Sequence, residues 1–173
     1  MKGQDSFDFH TAARNIRLVL MDCDGVLTDG RLYFSSGGEE LKVFDVQDGQ
    51  GIVSWVAAGY QIGIISGRSS PIVETRAKEL GIQIVRQGIK DKLETAREIW
   101  SEMGLSAAET AFIGDDIPDI DLIMESSLGI AVGNAVDEVK SVADFVSARD
   151  GGRGAVREIL DALIAAKTFD AET

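Results

Sequence analysis

Five aspartates fall in two short stretches: Asp22 and Asp24 in LVLMDCDG (18–25), and Asp115, Asp116 and Asp119 in GDDIPD (114–119). If the fold joins the stretches, Asp22, Asp24 and Asp115 lie within a few ångströms of one another. Two carboxylates ~4 Å apart at an effective dielectric of ~20 repel by about 4 kcal/mol, and three such pairs by on the order of 10 kcal/mol, comparable to the stability of a whole domain. Protonation relieves that repulsion, and so does a divalent cation. A donor set of oxygens, with no histidine or thiolate, suits Mg2+.

Magnesium often shares a substrate phosphate. Ser66 and Lys92, with backbone N–H groups near Gly25 and Gly67, can hold the remaining phosphoryl oxygens. A carboxylate in such a site can attack phosphorus and form an acyl-phosphate, which divides one hard hydrolysis into two easier steps. A second acid two residues on can protonate the leaving oxygen and then deprotonate the attacking water.

The remaining composition excludes other chemistry. The single histidine, His10, in the N-terminal lead-in, leaves no Ser-His-Asp triad and no multi-histidine zinc site, and reads as structural or solvent-facing. The single cysteine, Cys23, permits no internal disulfide and suits a reducing, cytoplasmic setting; between the two acids it reads as a small buried side chain on the opposite strand face. No long apolar run or secretory leader is visible. A net charge of −12 argues against nucleic acid and anionic membranes as partners. An anionic substrate must therefore be drawn in locally, by the metal and Lys92.

These groups need elements to position them. Strands are predicted at Ile16–Met21, Tyr60–Ser66, Gln83–Arg86, Thr110–Gly114, Leu128–Gly133 and in DFVS (144–147). Helices are predicted at Gly49–Ala58, Ser69–Leu80, Asp91–Met103, from the GDDIPD turn through Ile123, in AVDEVKSVA (135–143) and at Ala155–Ala166. The alternation implies a doubly wound, mostly parallel α/β sheet of Rossmann type, in one domain spanning residues 1–173. Ligands bind outside the carboxyl ends of such strands, where every candidate group falls. Gly30–Asp45 breaks the alternation and reads as a β-hairpin around Gly37-Gly38. An isolated hairpin is marginal in water, so Tyr33, Phe34, Val43 and Phe44 are expected to pack, on their own domain or on another subunit.

DCDGVLTDG, ISGR, Lys92 and GDDIPD, in this order and separation, resemble the four motifs of the haloacid dehalogenase superfamily of phosphatases. The resemblance implies Asp22 as nucleophile and metal ligand, and Asp24 as general acid/base whose backbone carbonyl also binds Mg2+. It implies Asp115 as a metal ligand, Asp116 as a ligand directly or through water, Ser66 and Lys92 as phosphate binders, and Lys92 as the group orienting Asp22. Asp119 is expected to brace the loop. The insertion points hold only the hairpin and one βα unit, so the chain resembles the capless members, in which a neighbouring subunit is the economical way to exclude water. The longer stretches DGVLTDGRLYFSSGGEELKVFDVQDGQGI and GGRGAVREIL resemble the 3-deoxy-D-manno-octulosonate 8-phosphate phosphatase family. That implies a cytoplasmic homotetramer assembled through its hairpins and serving lipopolysaccharide precursor synthesis. Gly67-Arg68, where the related nine-carbon sugar acid phosphatases carry Gly-Glu, favours the eight-carbon substrate, and Arg76 matches an arginine that reaches a neighbouring site to meet the substrate carboxylate.

Blander readings stand beside these. Arg68 and Arg76 could be solvated helix residues paired with Glu74 or Glu79, and Arg153 could reach a site or simply start the last helix. The domain could be a noncatalytic tetramerisation module of the kind fused to sialic acid cytidylyltransferases. A response-regulator receiver also uses an aspartyl phosphate, Mg2+ and a lysine, but its acidic pair and phospho-acceptor sit on different strands, whereas Asp22 and Asp24 share one strand end.

Overall fold

The computed structural model describes residues 8–168. Its core is a six-stranded parallel sheet in the order β5-β4-β1-β6-β7-β8: β1 (Leu18–Met21), β4 (Gln61–Ile65), β5 (Ile84–Arg86), β6 (Thr110–Gly114), β7 (Leu128–Ala131) and β8 (Phe145–Val146). Every residue of β1, β6 and β7 is buried, as continuous apolar runs covered on both faces require. β1 lies between β4 and β6, with Met21 opposite Ile64 on one side and Ile113 on the other.

Seven α-helices lie among the described residues: α1 (Phe9–Asn15), α2 (Val46–Ala57), α3 (Pro71–Leu80), α4 (Lys92–Met103), α5 (Ile120–Glu125), α6 (Asp137–Val142) and α7 (Ala155–Thr168). α2 packs on α3 and α7, and α7 on α1, whereas α5 packs on α4 and α6. The two groups follow from the connections: the chain winds outward through β4 and β5, then returns past β1 to β6 and winds the other way. Right-handed crossovers in opposite directions place helices on opposite faces. The direction reverses between β1 and β6, so their carboxyl ends splay into a crevice.

The sequence reading differs from the structure at three places. The lead-in contains α1, capped by Asp8, whose carboxylate accepts the N–H of His10; His10 itself is exposed. α2 begins three residues before the expected Gly49, because Asp45 caps it by accepting the N–H of Gln47. Its Gly49 and Gly51 are packing positions: a Cβ there would stand 2.4 Å from Arg76 Nη2 and 3.0 Å from Arg157 Cα. The hairpin is paired only through β2 (Tyr33–Phe34) and β3 (Glu40–Leu41). Phe34, Leu41 and Val43 are exposed, while Tyr33 and Phe44 are half-buried.

Candidate active site

The crevice at the β1/β6 switch point has a volume of about 430 Å3. Eight of the nine site residues expected from sequence line it: Asp22, Asp24, Ser66, Gly67, Arg68, Lys92, Asp115 and Asp116.

Asp22 follows β1 directly and prolongs its ladder, its N–H donating to Ile113 O at 3.0 Å. Its Oδ1 accepts the N–H of Cys23 at 2.7 Å, and its Oδ2 lies 3.0 Å from Lys92 Nζ. Lys92 is the first residue of α4, fixed there by the Asp91 cap, and its buried ammonium also meets Asp119 Oδ1 at 2.6 Å. The other Asp119 oxygen accepts the N–H groups of Asp115 and Asp116 at 2.9 and 3.2 Å. One buried carboxylate thus braces the loop after β6 and steadies Lys92.

Carboxylate oxygens of Asp22, Asp115 and Asp119 lie within 4.8 Å of one another. Asp115 Oδ1 is buried and accepts no hydrogen bond. Burial, against the pull of Lys92, pushes the Asp22 carboxyl up to about 6. Burial and the charges of Asp22 and Asp119 push Asp115 up to about 8. Each shift reflects anionic charge gathered where water cannot solvate it. The oxygen donors and the orphaned Asp115 Oδ1 fit a hard divalent cation.

The sequence reading placed Asp24 in this carboxylate cluster, and the structure corrects it: Asp119 takes that place. The Asp24 carboxylate turns to the hairpin, where Oδ1 meets Lys42 Nζ and Oδ2 lies 3.5 Å from Arg68 Nε. The Asp116 carboxylate is exposed and accepts the N–H of Ile117, capping the 3-10 turn of residues 117–119. Arg68 pairs with Glu40 and Asp24 rather than with Glu74 or Glu79. Arg76 lies outside this crevice, on α3, 2.8 Å from Glu79 and over the Phe44 ring. Cys23 is buried, which pushes its thiol up to about 12 and leaves it inert. Arg153 is exposed in the turn before α7, near Asp29, whose carboxyl the Tyr33 hydroxyl, the Arg31 N–H and, least of all, the Arg153 charge hold below the usual carboxylate range.

The loop carrying the first acids is shaped by glycines. Gly25, at φ +96°, lies so close to Asp115 that a Cβ would stand 2.0 Å from its Oδ2. Thr28 Oγ1 accepts the N–H groups of Gly25 and Gly30. Behind this loop packs the glycine turn before α7: Gly152 N–H donates to Val26 O, and a Cβ on Gly151 would stand 1.7 Å from Gly25 O. Asn134 ties the two, accepting from Gly151 N–H at 2.6 Å. The sequence reading missed Lys42 and Asn134. The period of two in EELK puts Lys42 on the side of Glu40, which is the one local signal for it; Asn134 has none, because its partners are remote in sequence.

The sheet order, the switch-point carboxylates and the helix-borne lysine define a haloacid dehalogenase-like hydrolase, and the model of that family matches residues 75–159. The chain is 39% identical over 165 residues to the 3-deoxy-D-manno-octulosonate 8-phosphate phosphatase KdsC of Escherichia coli K12, covering 95% of this chain and 88% of that one. It belongs to this phosphatase family. The crystal structure of the Moraxella catarrhalis phosphatase with a magnesium ion, a phosphate ion and a KDO molecule superimposes with a TM-score of 0.91, at 40% identity, covering 94% of each chain. The cobalt-bound Haemophilus influenzae phosphatase gives a TM-score of 0.87 at 37% identity, covering 92% of this chain and 95% of that one.

Proposed function

We propose that this chain, acting as one catalytic domain, is a Mg2+-dependent phosphatase that releases phosphate from 3-deoxy-D-manno-octulosonate 8-phosphate, in lipopolysaccharide precursor synthesis. The observation that carries the reading is the cluster of Asp22, Asp115 and Asp119 beside Lys92, with Asp115 Oδ1 buried and unpaired, in a chain 39% identical to that phosphatase.

The Asp22 and Asp115 carboxylates and the Asp24 carbonyl would hold Mg2+, with Asp116 adding a contact directly or through water. When bound, the ion offsets the charge of the carboxylates and of the phosphoryl group. The chain's own residues do the rest. Asp22, aimed by the Cys23 N–H and Lys92, attacks phosphorus, so that the Asp22 O–P bond forms as the bond from phosphorus to the sugar oxygen breaks. Asp24 delivers its proton to that oxygen. It then takes a proton from the water that attacks phosphorus, which breaks the acyl-phosphate, frees inorganic phosphate and restores Asp22. Ser66, the backbone at Gly67, and Lys92 bind the phosphoryl oxygens, and Arg68 helps select the sugar acid.

We further infer a homotetramer assembled through the hairpin. Phe34, Leu41 and Val43, all more than half exposed, support it. Because Arg76 lies outside its own crevice, a contact to the substrate carboxylate would come from a neighbouring subunit. The lone buried Cys23 suits the reducing cytoplasm, and among the described residues no helix is long and apolar enough to cross a membrane.

The test is a panel of phosphorylated metabolites, both sugar acid phosphates included, assayed for phosphate release with Mg2+. The eight-carbon substrate is expected to lead, and Asp22→Asn to abolish release. Equal release by wild type and Asp22→Asn would leave a noncatalytic assembly module.

A further inference from the structure

Four charges alternate in sign around a closed ring joining the hairpin to the crevice. Lys42 Nζ meets Asp24 Oδ1 and lies 3.4 Å from Glu40 Oε1; Arg68 Nη2 lies 2.7 Å from the same Glu40 oxygen, and Arg68 Nε 3.5 Å from Asp24 Oδ2. Asp24 and Arg68 line the crevice; Glu40 and Lys42 stand behind them on the hairpin.

The ring has a strong side and a weak one. The Lys42 side chain is 4% exposed and its two carboxylate partners 18% each. A buried ammonium persists only while its anions are in place, and losing one is costly. The hairpin therefore fixes where the Asp24 carboxylate points. Arg68 is 43% exposed, so its pairs add little stability. What Glu40 gives Arg68 is direction: the shorter contact draws the guanidinium toward the hairpin.

We propose that Glu40 and Lys42 are positioning residues, through which the hairpin sets the aim of the acid/base Asp24 and of the substrate-facing Arg68. The inference rests on the phosphatase reading above. It makes the hairpin part of the catalytic apparatus even within one subunit.

The competing possibility is that the ring merely anchors the hairpin. Substrates of graded leaving-group acidity separate the two, because a poor leaving oxygen needs the proton from Asp24 and p-nitrophenolate needs it little. In Lys42→Met, kcat for alkyl and phenyl phosphates is expected to fall about tenfold or more, and that for p-nitrophenyl phosphate severalfold less. Lys42→Arg should recover part of the steep loss. In Glu40→Gln, KM for the sugar acid phosphate should rise about fivefold while kcat changes less, and the KM of p-nitrophenyl phosphate should move less than that of the sugar. Hydrogen exchange of amides 33–42, read without substrate, should quicken in both variants. Unchanged exchange would overturn the ring. A parallel loss across all substrates would overturn the positioning role while leaving the phosphatase standing. A wild type inactive on every phosphomonoester would instead overturn the function, and the positioning role with it.

Discussion

At the scale of single residues the site is a problem in charge. Asp22 and Asp115 have folded values of about 6 and about 8, above the ordinary carboxylate value near 4. For a raised acid, the folded state binds protons more tightly than the unfolded one. Its stability is full below pH ~4 and is lost as pH rises through the folded values. The metal-free protein should therefore weaken progressively between pH ~4 and pH ~9. Mg2+ competes with those protons, so the rise in Tm on adding it to EDTA-treated protein is expected to be small at pH 5 and several degrees larger at pH 8.5; a shift independent of pH would contradict it. Asp119 is the brace. Asp119→Ala removes one partner of a buried lysine and leaves the N–H groups of Asp115 and Asp116 without their acceptor. A loss of about 3–5 kcal/mol is expected in urea unfolding, together with most of the activity. Asp22 and Asp115 were legible in the sequence, because crowded acids at strand ends have few explanations. The direction of the Asp24 carboxylate was not, since its partner Lys42 lies 18 residues away and side-chain aim is a tertiary fact.

At the scale of elements, the sheet and its helices followed from alternating apolar runs and punctuating glycines. Gly81 and Gly104 end α3 and α4 in the left-handed conformation, one residue past the expected helices Ser69–Leu80 and Asp91–Met103. α1 escaped notice because seven residues with a single fully buried side chain, Ala13, leave little periodicity. The start of α2 lies earlier than expected because its cap, Asp45, reads in sequence as the last residue of the hairpin segment; Gly49 and Gly51, inside the expected helix, admit Arg76 and Arg157. Contacts between loops are where sequence says least. Gly151→Ala tests one: its Cβ would meet Gly25 O at 1.7 Å, forcing the loop of Asp22 and Asp24 to shift. The expected cost is about 1–3 kcal/mol in stability, with a marked fall in kcat. Wild-type kinetics in a folded Gly151→Ala would show that the glycine turn does not shape the site.

At the scale of the whole molecule, an acidic protein must gather an anionic substrate and bury a sticky edge. The hairpin exposes Phe34 and Val43, while Tyr33 is tied to Asp29 by its hydroxyl at 2.7 Å. Placing a charge at Phe34 and Val43 together is expected to reduce the assembly seen by light scattering, and an unchanged mass would remove the hairpin as the central contact. α7 closes the molecule at both ends: Lys167 Nζ donates to Ile16 O at 2.6 Å, just before β1, and the glycine turn preceding the helix seats against the loop just after β1. During synthesis, a nascent chain that has delivered all its acids, its lysine and every strand still lacks the wedge behind Gly25. Such a polypeptide is expected to stay silent toward phosphate esters until the glycine turn at residues 151–154 and α7 have left the ribosome.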